Sequence, residues 1–209
     1  ALVWGVAFGN ILRGMPINAQ MNYTGDFFGL LNSYALIAGL FGLALMTLHG
    51  AVYLALKTED DIRARARGAA TKMWYVAFAL YIVALIATIV STDLMTRSTM
   101  PIVVASIGGV ALLAVFGFLR TKREGWAFAM TALAIVATVV TLFLTLFPRV
   151  MISSTDPKFN LTIYNASSTP YTLTVMSVVA LIFVPLVILY QGWTYWVFRQ
   201  RVSKKSLVA

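Results

Sequence analysis

An all-α, polytopic transmembrane helix bundle is the fold class this sequence predicts, with five full spans and the end of one more. Three observations carry that expectation. Of the 209 residues, 60% are hydrophobic and only 11% are charged, where a soluble domain carries about a quarter charged residues. Apolar runs of 18 residues or more recur along the chain, each long enough to cross a bilayer. Short polar segments, too brief to be domains, separate them. Soluble enzymes, disordered tails, collagen and disulfide scaffolds are excluded. The absence of Cys also removes thiol chemistry and cysteine-ligated metals. A net charge of +9 points, in a membrane protein, to cytoplasmic loops and anionic headgroups, and nothing argues for nucleic acid.

Ala1 to Leu12 is apolar but covers only about 18 Å of a hydrocarbon core roughly 30 Å thick. It reads as the end of a transmembrane helix that starts earlier. Residues 13–32 then form an outer loop, and residues 33–209 a five-span bundle with a cytoplasmic C-terminal tail. The spans expected are Ser33 to Leu56, Met73 to Val90, Pro101 to Leu119, Trp126 to Phe147 and Tyr171 to Phe198. Asn32 or Ser33 can cap the first of these, and Thr169 followed by Pro170 supplies a capping oxygen before a residue suited to the first helical position. Pro185 removes a backbone donor inside the last span and is expected to kink it.

Orientation follows from Lys and Arg. Twelve of the 16 cations fall in the segments 57–72 and 120–125 and in the tail, which places those segments in the cytoplasm; Arg13, Arg97, Arg149 and Lys158 lie on the other side. Trp74, Tyr75, Trp126, Trp193, Tyr195 and Trp196 border the basic segments, as interface anchors do. Within the first basic segment, Glu59 with Arg63 and Asp61 with Arg65 are spaced as i,i+4 pairs that would carry a helix past the membrane surface as a solvated turn.

Residues able to do chemistry are few. None of the seven acids lies near the middle of an apolar span, so no intramembrane carboxylate offers itself as a proton relay. His49 is the one histidine; it shares a helix face with Ala38, Gly42 and Leu45. Two readings of it stand: a haem, metal, quinone or proton-path contact, or an interhelical hydrogen bond, which is preferred because no second His can complete a bis-His site. Gly108 and Gly109 offer a second small-residue seam, and Thr138, Thr141 and Thr145 offer hydroxyls for helix association. The segment Met151 to Pro170 contains two glycosylation-type triplets, at Asn160 and Asn165, whose polar groups are expected to make turns and caps instead. No nucleotide, serine-hydrolase or zinc-protease motif is present.

Several blocks, taken together, resemble a known family. They are WGVAFGNILRG (4–14), YTGDFFGLLN (23–32), HGAVYLALKT (49–58), FPRVMISS (147–154), LTIYNASS with YTLTVM (161–176) and VPLVILYQGWTYWVFRQRV (184–202). In this order, and spread over loops as well as apolar runs, they are similar to subunit II of the cytochrome bd-type quinol oxidases. The resemblance implies an eight-helix subunit of two four-helix bundles, here its C-terminal portion, with Ser33 to Leu56 as the fourth helix and Tyr171 to Phe198 as the eighth. It implies a complex in a prokaryotic cell membrane that passes electrons from quinol to dioxygen, giving water. Two b-type haems, one d-type haem and the quinol-oxidising loop then belong to a haem-bearing subunit I, which this haem-free chain supports. Quinone, lipids and a small single-span subunit are the other partners it implies. The family's acidic proton-path motif lies in N-terminal helices and maps onto no residue here. Asn10, Asp26, Asn32, His49 and Asn165 are the polar residues of the matching blocks, with roles unassigned. The competing class is a multi-span transporter or channel subunit, whose Gly- and Pro-broken half-helices find a counterpart only in Pro185.

Overall fold

The computed structural model describes residues 1–93 and 99–201. Arg97, Lys204 and Lys205, which entered the charge count, lie outside them. Six helices account for most of the chain: α1 (Leu2–Arg13), α2 (Ser33–Lys57), α3 (Asp60–Ser91), α4 (Met100–Arg120), α5 (Glu124–Leu146) and α6 (Pro170–Val197). Five of them, α2 to α6, are long and apolar enough to cross a membrane. Two short strands, β1 (Arg149–Met151) and β2 (Leu161–Thr162), pair antiparallel between α5 and α6.

Helices α2 to α5 close into an antiparallel ring, with α2 on α3, α3 on α4, α4 on α5 and α5 back on α2. The four-helix ring is therefore not made of the last four helices. Its core stacks Leu48 and Val52 of α2, Ala70, Trp74 and Ala77 of α3, Leu112 and Val115 of α4, and Ala127 and Ala134 of α5. Trp74 is 7% exposed and its indole N–H donates to the carbonyl of Leu112 at 2.6 Å. It is a core residue, not an interface anchor. On α3 it follows Ala66 and Ala70 along the stripe that faces α2 and α4, and a buried indole needs such an acceptor. Tyr81 repeats the device two helical turns later, donating to the Ala105 carbonyl at 2.6 Å. Tyr75, Trp126, Trp193, Tyr195 and Trp196 are exposed.

Small residues set where α1 lies. Gly5 and Gly9 cross Ala35, Ala38 and Gly39 of α2 so closely that a Cβ on Gly5 would sit 2.6 Å from the Gly39 Cα, and one on Gly9 2.9 Å from the Ala35 Cα. Backbone approach of this kind is how helices associate where lipid supplies no hydrophobic drive. The expected Ala38 and Gly42 seam is part of this crossing, and Gly108 and Gly109 meet Ala137 and the Tyr81 ring. Arg13 ends α1 at Gly14, whose φ of 104° suits glycine. That turn sends Met15 to bond with Ile152 and Ser154 of the later loop.

Helix α3 begins at Asp60, thirteen residues before the expected span. Its 32 residues make about 48 Å of helix, so the basic segment is folded as a helical overhang. Asn32 caps α2 by accepting from the Ala35 N–H at 3.0 Å, and Thr169 caps α6 with Pro170 at the first position. Pro185 sits inside α6, which runs through it as one helix. No residue of α6 is buried. Lys57 links α2 to its far end by donating to the Phe198 carbonyl at 3.0 Å.

Candidate functional site

Buried polar groups are the places where a membrane helix bundle can carry function, because each must be satisfied inside the protein or do work. His49 lies on the inner surface of α2, half-buried. Its Nδ1 is 2.7 Å from the Thr131 hydroxyl on α5, and its ring stacks on Phe128 with centroids 4.5 Å apart. Thr131 is fully buried, and its hydroxyl also bonds the Phe128 carbonyl at 2.8 Å. The histidine thus joins two helices of the ring through a hydroxyl and an aromatic face.

Asn10 and Asn32 form a second cluster. Asn10, 5% exposed, donates through Nδ2 to the carbonyls of Val6 at 2.9 Å and Leu30 at 2.7 Å. Its Oδ1 accepts from Asn32 Nδ2 at 2.7 Å, and the same amide reaches the Gly29 carbonyl at 3.2 Å. With Asn32 Oδ1 capping α2, every amide atom of the pair has a partner. This closed network pins the loop 28–31 between α1 and α2. Asp26 caps the same loop by accepting from the Gly29 N–H at 3.1 Å. Asn165 accepts from the Thr162 N–H at 2.6 Å and donates to the Asn160 carbonyl at 3.0 Å, shaping the turn after β2. The structure brings three of the five block residues to one loop and not the other two: Asn10 and Asn32 touch, Asp26 and Asn32 both bond Gly29, and His49 and Asn165 lie in separate settings.

Charged pairs mark the two ends of the ring. Glu124, 4% exposed at the start of α5, accepts from Arg63 at 2.9 Å and also from Arg67. Arg63 is therefore not paired with Glu59 along its own helix. The interhelical partner wins because Glu124 is desolvated, and a buried carboxylate demands two or more donors where an exposed i,i+4 pair contributes only tenths of a kcal/mol. At the opposite end Arg149, itself buried, holds Asp93 through two bonds of 2.8 and 2.9 Å, the fork geometry that guanidinium offers a carboxylate. It ties β1 to the end of α3.

A cavity of about 480 Å³ lies between α1, α2, α3, α4 and α5 and is lined mainly by apolar groups such as Trp4, Phe8, Phe41 and Leu142. Hydroxyls of Tyr34 and Thr88, 3.0 Å apart, face it and satisfy each other. Thr138 and Thr145 bond carbonyls of their own helix four residues back, at 2.8 and 2.7 Å, so they do not bridge helices as expected; such back-bonding is the nearest acceptor a helical Thr has. His49 is not among the lining residues. Among the described residues no group of three or more His, Cys, Asp or Glu side chains converges as a metal site.

Sequence reasoning missed the Glu124 clamp, the Arg149 and Asp93 pair, and the Gly5, Gly9 and Gly39 crossing. Only the last had a local signal, the Gly-x-x-x-Gly spacing of residues 5 and 9.

The chain is similar to known proteins over nearly its whole length. The chain is 40% identical over 207 residues to the cytochrome bd ubiquinol oxidase subunit 2 of Bacillus subtilis (strain 168), covering 98% of this chain and 61% of that protein. It is 31% identical over 240 residues to the cytochrome bd-I ubiquinol oxidase subunit 2 of Escherichia coli (strain K12), covering 99% and 63%. A probable cytochrome oxidase subunit 2 of Haemophilus influenzae is 32% identical over 228 residues, covering 93% and 60%. The chain thus spans about three fifths of the length of these relatives. The model of the cytochrome bd terminal oxidase subunit II family matches residues 1–198: this chain belongs to that family.

Proposed function

We propose that this chain is part of the haem-free subunit II of a respiratory quinol oxidase, in which it supports a haem-bearing subunit I during electron transfer from quinol to dioxygen. The observation that carries the reading is the family match over residues 1–198, together with relatives whose names describe them as ubiquinol oxidase subunits. The described polar side chains favour a supporting role. Asn10, Asn32, Arg149 and Glu124 each have a structural partner, so these buried polar groups hold helices and loops. Two b-type haems and one d-type haem sit in the partner subunit in this reading, and the C-terminus lies in the cytoplasm, where the basic segments favour it. The subunit as a whole has eight helices, and His49 is an interhelical contact of the ring.

Purification of the full-length parent from its native membrane in mild detergent tests the reading. A reduced-minus-oxidised visible spectrum with a d-type band, a copurifying haem-bearing chain, and no haem in this subunit after the two are separated are expected. A colourless preparation without a partner overturns it.

A further inference from the structure

The α4–α5 turn is three residues long and carries a run of cations. Arg120 closes α4, and Thr121, Lys122 and Arg123 lead into α5. Arg120, Lys122 and Arg123 are all exposed. The acid that follows them, Glu124, is buried and already holds Arg63 and Arg67, so it neutralises none of the three. Among the described residues Lys122 and Arg123 make no side-chain hydrogen bond or ion pair, while the Arg120 guanidinium is propped 4.4 Å above the Phe116 ring. Trp126, 60% exposed and stacked on Phe118, is the residue type that settles at the depth of the lipid headgroups.

The backbone adds an independent observation. The Arg123 N–H bonds the Phe118 carbonyl at 2.9 Å and the Lys122 N–H bonds the Leu119 carbonyl at 3.3 Å, the paired bonds of a Schellman cap. Lys122 occupies the left-handed position of that cap, at φ 58°, where glycine is the unstrained choice. A cation stands there at a conformational cost, on a turn that offers it no side-chain partner among the described residues.

We propose that the Arg120–Arg123 turn binds the phosphate of an anionic phospholipid headgroup, with Lys122 and Arg123 as the contacting cations and Trp126 seated in the adjoining interface. Basic pockets at the cytoplasmic surface recognise such headgroups. The proposal rests on the turn lying at headgroup depth and is independent of the oxidase reading.

The test uses the full-length protein in its complex, exchanged into nanodiscs of equimolar phosphatidylglycerol and phosphatidylcholine, with retained lipids counted by native mass spectrometry after extraction. The parent is expected to retain phosphatidylglycerol over phosphatidylcholine, and to lose that preference at about 1 M salt, where the screening length falls to about 3 Å. Lys122→Gly removes one cation while relieving the cap. It is expected to lower phosphatidylglycerol retention about fivefold, with an unfolding midpoint at or above the parent's. A triple variant, Arg120→Gln with Lys122→Gln and Arg123→Gln, is expected to lose more than about tenfold. Unchanged retention in Lys122→Gly overturns the proposal even if the triple variant fails to fold. Equal loss of both lipids, or displacement of the lipid by millimolar inorganic phosphate, also overturns it. The oxidase activity and spectrum of the same preparation report on the functional reading separately.

Discussion

Helices α1 and α6 are both apolar and differ most in what they touch. The short helix α1 buries Gly9, Asn10 and Leu12 and meets α2 backbone to backbone. The long helix α6 is the most hydrophobic of the five candidate spans, at a mean hydropathy of 2.7, and buries nothing, with Leu181 77% and Leu189 73% exposed. Apolar character alone therefore says that a helix can live in lipid, and small or polar residues say where it meets protein. The glycines show the difference: Gly39 is hemmed in by Val6 and the Leu2 carbonyl, and Gly192 has nothing within 4 Å.

That contrast can be broken or sharpened by substitution in the full-length protein, with unfolding followed by SDS titration in mixed micelles. Gly39→Leu forces α1 off α2 and is expected to cost about 3 kcal/mol, the upper range of overpacking; a cost near zero would mean that the crossing does not persist in the assembled subunit. Asn10→Leu strips the Leu30 carbonyl and one of the two Asn32 amide N–H groups of a partner and is expected to cost about 2 kcal/mol, with faster proteolysis of the loop 28–31 as its signature. Thr131→Val takes away the hydroxyl facing His49 and is expected to cost about 1 kcal/mol, leaving the α1 crossing untouched. Gly192→Leu is expected to change stability by less than about 0.5 kcal/mol in the isolated subunit. A larger loss seen only in the intact complex would show that α6 meets protein there.

The five spans were legible because about 20 apolar residues in a row admit few other readings, and the caps at Asn32 and Thr169 because they act within three residues. What stayed hidden acts at long sequence separation. Arg63 read as the surface of a solvated turn because the local i,i+4 rule offers Glu59, while its partner Glu124 lies some sixty positions on. Trp74 read as an anchor because it follows a basic run, although the alanines at 66, 70 and 77 already drew a stripe of small residues on its face. The five block residues were legible as polar exceptions in an apolar chain. Their roles were not, since a hydrogen bond such as Asn10 to Asn32 spans an entire loop.

Helix α4 has a consequence for the host membrane. Its 21 residues are the fewest of any full span, giving about 32 Å of helix, and it is fenced by Pro101 at one end and the capped cationic turn at the other. Its neighbours have length to spare, and α3 carries its surplus outside the hydrocarbon as the overhang that grips Glu124. The shortest helix therefore sets the bilayer thickness the ring can meet without elastic distortion, at fractions of a kcal/mol for each ångström of mismatch. A thicker membrane would have to thin around α4 or draw Arg120 inward, so this ring is matched to a bilayer close to the ordinary thickness and resists being moved into a thicker one.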